Sequence, residues 1–462
     1  MKSVSGDMLL FWTGLAIALA VLVVTTAVYR RYFFNLSDIP GPFWASVTRL
    51  WHVSIILEGK QNVRLKNLHR EHGPFVRIAP NEVSVCHPDG ATLLLRANLH
   101  KGDWYRVTAV PDYRFQNPMS TVNPIEKKAL SKHFTPAYAL SQVLKREPDI
   151  NDNIENLLLW VEKYAEDRVP MDLDRFITYT TFDNIGCALF SEPFGFIKAG
   201  RDIDGTLKNN VALSRFAAVA GFFIGPLRIL INPLNSWLLL LPMGHLYRTT
   251  AAALKKRLSN PEKRNDMVTH WLSARQKSGK LTLRHIEAQA NVNVGAGAEP
   301  VSSAIQSVLY HLSRHQEDWL RVRDEIDTAI GKGLCHGRVV TFQDAENLTV
   351  VHTEKDIWGD DADEWNPERW LSGDAKKLDK NWIVFSAGYM TCPGRHFAWM
   401  QICKVAATLL RDYNISQVDP ENQWRYQANF TALTYSWPVW VKKREHEGNV
   451  ISRIGTLPVD SH

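Results

Sequence analysis

Residues Phe385 to Ala398 read Phe-Ser-Ala-Gly-Tyr-Met-Thr-Cys-Pro-Gly-Arg-His-Phe-Ala, and no other stretch constrains the chain as strongly. One cysteine, Cys392, stands in a loop bracketed by Gly388 and Gly394, with Phe385 seven positions before it. A helical pattern follows from Arg395 to Arg411. Gly388 permits a tight turn, and Gly394 lets the backbone run close to a flat group. A thiol just ahead of a helix N-terminus meets free N–H groups and the positive end of the dipole. Both are expected to lower its pKa and to moderate electron donation to a metal. This is what a haem iron ligated through a thiolate requires, so the fold has to leave room for a planar macrocycle at this loop.

A lone cysteine is more often a small buried hydrophobe than a ligand. Here Phe385, Gly388, Cys392, Gly394 and Arg395 fit together, which argues against coincidence. The stretch resembles the haem-binding loop of the cytochrome P450 family, Phe-x-x-Gly-x-x-x-Cys-x-Gly-Arg with Ala three residues on, here Ala398. The resemblance implies haem b (iron protoporphyrin IX) with Cys392 as axial ligand to the iron. It also implies electrons from NADPH through a separate FAD- and FMN-containing NADPH-cytochrome P450 reductase. The implied fold is mainly α with a small β lobe, preceded by one N-terminal transmembrane helix. One position departs: two before the cysteine the family often has an Arg or His that pairs with a haem propionate, and here it is Met390. That contact must come from elsewhere or be missing.

Met8 to Val28 is an apolar run of 21 residues without a charge, which suits one bilayer span. Arg30-Arg31 and the aromatics Tyr29, Tyr32, Phe33 and Phe34 follow, so the positive-inside rule puts the body in the cytosol, on the endoplasmic reticulum by resemblance. A cleaved signal peptide is the competing reading, but the run is long and lacks a clear cleavage site. Ile39-Pro40-Gly41-Pro42 predicts a stiff extended spacer holding the body off the membrane. The expected organisation is a short lumenal segment at 1–7, an anchor at 8–28, a proline-rich hinge at 29–45 and a monooxygenase domain at 46–462.

A net charge of +6, with no basic cluster interleaved with aromatics, gives no reason to expect nucleic acid. Five scattered cysteines argue against a disulfide framework or a cysteine-based zinc site. Sequons at Asn35, Asn347, Asn414 and Asn429 would matter only in the lumen. A second apolar region, Phe216 to Leu241, contains Pro226, Arg228, Asn232, Pro233 and Asn235 and is a poor span. It reads as a core helix pair or, by resemblance, as a cap over the substrate channel that dips into the membrane.

Gly73 to Val85 reads as a β-hairpin bounded by prolines, and helical periodicity dominates from about 122 to 330. The runs Thr181–Gly186 and Phe190–Gly195 look like fungal members of the family. One mostly helical domain with a β-rich lobe near its N-terminus is expected. Thr282 to Arg314 predicts a long helix with an odd centre, Gly295 to Ser303. Small residues there are costly unless something flat lies against the backbone. The family's oxygen-activating helix carries Ala/Gly-Gly-x-Asp/Glu-Thr, matched here by Ala296, Gly297 and Glu299. Glu299 is the candidate catalytic acid. The threonine position is Pro300, which has no hydroxyl. Ser303, one turn on, is the candidate replacement acting through a water. The plain alternatives are a salt-bridged Glu299 and a back-bonding Ser303. The segment Asn123 to His133, with Lys127, Lys128, Lys132 and His133, reads as a solvated basic face or as a docking face for the reductase.

After Asp344 to Thr349 the family continues into a helix carrying Glu-x-x-Arg, but this chain passes to Val350 and then to Trp358–Trp370. No Glu-x-x-Arg occurs anywhere, so Arg369 lacks the partners of the family's buried triad. Either an exon is absent from the gene model or the chain is a natural truncated copy; the intact flanks favour the former. The expected function is oxidation of an apolar or alkaloid-like small molecule in fungal secondary metabolism, by hydroxylation, oxidative coupling or desaturation. The alternatives are a haem-dependent isomerase or dehydratase, favoured by Pro300, and an inactive copy.

Overall fold

A computed structural model describes residues 2–346, 367 and 383–445, apart from 88, 110, 111, 231–233, 235–242, 261 and 263. The Thr349–Val350 junction, Arg369, Asn347 and most of 231–242 therefore lie outside the described residues.

Helix α1, Lys2–Val28, continues as a wider turn over Tyr29–Phe33. Leu10–Phe33 is long and apolar enough to cross a membrane, and none of it is buried against the body. Among the later helices, α2 (Pro124–Phe134), α3 (Glu147–Asp167), α4 (Leu173–Phe190), α5 (Thr206–Ala220), α6 (Leu283–Arg314) and α7 (Arg395–Asp412) position the site. Three antiparallel strand pairs complete the framework: β1 (Phe75–Ala79) with β2 (Glu82–Val85), β3 (Tyr413–Gln417) with β6 (Val439–Lys443), and β4 (Arg425–Ala428) with β5 (Ala432–Tyr435). The protein is thus mainly α, but the strands are divided between both ends of the chain. The C-terminal pairs follow α7 because Tyr413, Ile415 and Gln417 alternate inward with solvent-facing residues.

The core is helical. Nearly every residue of α4 is buried, and α6 crosses it. Gly297 sits at that crossing: a Cβ there would stand 2.8 Å from Ile185 Cδ1. Helix–helix contact thus gives a reason of its own for a small residue here, beside the flat group expected from the sequence. A buried amide chain ties three helices together. Asn153 donates to Asn184 Oδ1 at 2.9 Å, and Asn184 donates to Gln401 Oε1 at 3.0 Å. The run from Thr181 to Gly186 has a local purpose as well. Asp183 accepts from the N–H groups of Gly195 (2.7 Å), Phe196 (3.2 Å) and Ile197 (2.9 Å), closing the turn that follows α4.

The hinge is bound to the body. Arg77 of β1 is 1 % exposed, and its guanidinium donates to the carbonyls of Arg30 (2.9 Å), Leu36 (3.2 Å) and Pro80 (2.7 Å). The Arg77 N–H in turn donates to Pro40 O at 2.8 Å. The prolines do give an extended path, but a buried arginine lays that path against the first hairpin.

Candidate active site

The Cys392 loop begins with two left-handed residues, Ser386 (φ 58°) and Gly388 (φ 59°). A Cβ on Gly388 would also stand 2.5 Å from Leu95 O, so both backbone angle and close approach require glycine. The Cys392 N–H donates to Phe385 O at 2.8 Å, closing the loop at the two ends of the motif. Phe385 packs on Trp399 with tilted rings, centres 5.9 Å apart. Gly394 is the N-cap of α7, and Ala398 N–H donates to its carbonyl at 3.0 Å, placing Ala398 against the core. Arg395 is exposed at the first helical position.

Cys392 itself is open on one side and crowded by protein on the others. Burial pushes its thiol above the ordinary value, while the Gly394 N–H and the Lys127 ammonium pull it back. The helix-terminus effect expected from the sequence is present in the Gly394 N–H, but desolvation outweighs it in the protein alone.

Lys127 turns toward this loop. Its Nζ donates to Tyr389 O at 2.7 Å and lies 3.5 Å from Met390 Sδ. Lys101 is its neighbour, with Nζ donating to the carbonyls of Met119 and, at 3.3 Å, Pro118. Burial lowers Lys101 to about 7, with Lys127 adding repulsion, and lowers Lys127 to about 8. Neither is in an ion pair among the described residues. Two half-buried ammoniums without a carboxylate are costly by themselves and complementary to an anionic ligand. A thiol with an N–H at its sulfur, a glycine turn and two adjacent ammoniums fit a macrocycle carrying two carboxylates. Lys127 places a cation beside Met390, while Lys128 and Lys132 stay exposed.

Helix α6 starts with a capping box in which Thr282 accepts from His285 N–H at 3.3 Å and the His285 ring reaches back to Thr282. It continues through Pro300, which leaves the Ala296 carbonyl without its usual N–H. Glu299 is 7 % exposed. Asn210 of α5 donates to its Oε1 at 2.7 Å, and Thr431 donates to its Oε2 at 3.1 Å. Burial raises the carboxyl to about 7, with the two donors acting in the opposite direction. Two cavities meet at this residue. One is largely apolar and is lined by Val107, Met119, Leu213, Ala217, Ala296 and Phe430. The other borders Thr178, Ser302, Ser303, Gln306 and Thr434. Ser303 donates to Ala432 O at 2.8 Å, which ties α6 to β5.

Asn210, Thr431 and Lys101 carry no motif, and sequence reasoning passed over all three. Thr431 was visible only as the last residue of the Asn429 sequon. Asn429 is itself occupied, since its side-chain N–H donates to Ile56 O at 2.6 Å.

The family model for cytochrome P450 matches residues 40–351 and 345–434, two segments that meet at 345–351. Among curated relatives, the cytochrome P450 monooxygenase gsfF of Penicillium aethiopicum is 27% identical over 471 aligned positions, covering 87% of this chain and 92% of the relative. A cytochrome P450 monooxygenase of Aspergillus terreus is 26% identical over 87% of this chain and 94% of the relative. Pisatin demethylase of Fusarium vanettenii is 23% identical over 86% of this chain and 88% of its own length.

Proposed function

The chain belongs to the cytochrome P450 family, and on that premise we propose that it is a membrane-anchored haem-thiolate monooxygenase of fungal secondary metabolism. The observation that carries this reading is the Cys392 loop, with the Gly394 N–H at the sulfur and Lys127 beside it. When bound there, haem b would supply oxygen activation, with electrons from NADPH through the FAD- and FMN-containing reductase. Cys392 would ligate the iron through its thiolate, and Phe385, Gly388, Gly394, Arg395 and Ala398 would shape the loop that presents it. Lys127 and Lys101 would pair with the carboxylates of the macrocycle. Glu299 holds and moves protons at the edge of the apolar cavity, close to the pKa at which a carboxyl exchanges readily at neutral pH.

The cavity's largely apolar lining suits a small apolar or alkaloid-like molecule. Leu10–Phe33 serves as a single anchor in the endoplasmic reticulum, with the body in the cytosol. Lys128 and Lys132 form part of the face that meets the reductase. The chain also lacks the segment with Glu-x-x-Arg between Thr349 and Val350. This is supported by the break in the family match at 345–351 and by an alignment of 471 positions, more than the 462 residues of the chain. Sequencing the transcript across Thr349–Val350 tests that point directly.

The decisive experiment is spectroscopic. The full-length protein, expressed with haem precursor and reduced under carbon monoxide, is expected to give the thiolate-type Soret band, and Cys392→Ser to lose it. A protein that purifies colourless and takes up no haemin overturns the reading for this chain. Pro300 favours a second reading, a haem-dependent isomerase or dehydratase, in which product forms without NADPH and oxygen.

A further inference from the structure

Pro300 removes the hydroxyl that would stand beside Glu299 on its own helix, and Ser303 spends its proton on Ala432 O. A hydroxyl nevertheless reaches the carboxylate from another element. Thr431, in the turn between β4 and β5, lies 3.1 Å from Glu299 Oε2 and borders the apolar cavity. The turn is held in place from behind. Asn429 bonds Ile56 O at 2.6 Å, Ala428 N–H bonds Gly59 O at 2.7 Å, and the Phe430 ring packs on Trp104 with centres 5.4 Å apart. Asn210 fixes the other carboxylate oxygen, so the orientation of Glu299 is set by two contacts from two directions.

Glu299 borders both cavities, and no other charged side chain lines either of them among the described residues. Behind it the second cavity is edged by a hydroxyl and amide chain. Thr178 and Ser302 are 2.7 Å apart, Gln306 donates to Ser302 Oγ at 2.9 Å, and Thr434 donates to Gln306 Oε1 at 2.9 Å. These groups give water in the second cavity several hydrogen-bonding partners close to Glu299.

We propose that Thr431 supplies, from the C-terminal hairpin, the hydroxyl that works with Glu299 to carry protons from the second cavity into the apolar one. This rests on the monooxygenase reading, in which oxygenation consumes protons on the apolar side. In one cycle Thr431 Oγ1 gives its proton to an acceptor in the apolar cavity and takes one from the Glu299 carboxyl. Water in the second cavity then returns a proton to Glu299. Only O–H bonds are broken and made, and no electron moves. Thr431 is a positioning and relay residue, distinct from the pocket's apolar lining.

The test compares wild type, T431V, T431S and E299Q as haem-loaded full-length protein with the reductase. A first readout is product formed per NADPH consumed, with hydrogen peroxide measured alongside. T431V is expected to lower coupling about tenfold, with peroxide making up the difference, and T431S to restore it. A second readout is the infrared band of the protonated Glu299 carboxyl, assigned by its loss in E299Q and titrated in each variant. Loss of a donor to the ionised form is expected to move the midpoint upward in T431V and not in T431S. Unchanged coupling in T431V overturns the proposal, whether or not the band moves. An unchanged band in T431V overturns the contact itself, and that measurement needs no turnover. Failure of the monooxygenase reading is seen separately, as a wild type with no thiolate-type Soret band, and it removes the proposal as well.

Discussion

Replacing Glu299 by glutamine should change how the stability of the protein depends on pH, and the structure fixes the sign. The carboxyl is buried and moves from 4.5 to about 7 in the fold, with desolvation as the leading cause. In the unfolded chain it ionises near 4.5, so between that pH and 7 the native state binds more protons than the unfolded state. Stability is then greatest below 4.5 and falls as pH rises through 7. At about 1.4 kcal/mol per pKa unit, the loss amounts to roughly 3 kcal/mol once the pH is above 7. Glutamine keeps the shape. Its carbonyl can accept from Asn210 and its amide can donate to Thr431 Oγ1, so E299Q keeps both contacts without a charge to bury. Urea midpoints of detergent-solubilised wild type and E299Q, measured from pH 5 to pH 8, provide the assay. Other groups titrate over this range, Lys101 and Lys127 among them, but they are common to both proteins and cancel in the difference. The wild type should lose about 2.5 kcal/mol relative to E299Q across the range, part of the full loss lying below pH 5. Parallel profiles would mean that Glu299 is hydrated or paired in solution and would refute the reasoning.

Two further outcomes follow from positions already described. Lys127→Met should leave the haem-free fold intact while speeding haem loss to apomyoglobin several-fold, since one charge-assisted partner of the carboxylates goes; unchanged haem transfer would mean that Lys127 has no part in holding the macrocycle. Gly297→Ala gains about 1 kcal/mol of helix propensity but forces a methyl to 2.8 Å from Ile185, an overpacking cost of about 1–3 kcal/mol, so the haem-free protein should melt lower. Adding Ile185→Val should recover most of the loss, and a G297A protein that melts higher would show that the glycine is not demanded by packing.

What the sequence made legible was local. The Cys392 loop, the Gly73–Val85 hairpin and the start of α6 at Thr282 are all written in short-range chemistry: glycines where φ is positive, β-branched alternation, and a hydroxyl at a helix N-cap. What it concealed was tertiary. Asn210 and Thr431 converge on Glu299 from 89 and 132 residues away, and no spacing rule connects an asparagine in one helix with a threonine in a distant turn. Lys127 was visible as charge, but which side of its helix faces the loop depends on how α2 packs. The small residues at the centre of α6 show a subtler limit. Gly297 was legible as a position needing glycine, yet the neighbour that demands it, Ile185, belongs to a helix more than a hundred positions earlier.

Arg77 gathers the end of the anchor, the hinge and the first hairpin around one guanidinium. On the proposed membrane this turns a tether into a bracket. A body on a loose stalk would present every face to the bilayer in turn and meet its redox partner by a rotational search. A body clamped at its stalk holds one attitude, so a single rim grazes the lipid and one flank is offered to whatever diffuses in the same plane. An apolar substrate dissolved in that lipid, and a reductase anchored in it, would then approach along fixed and separate bearings.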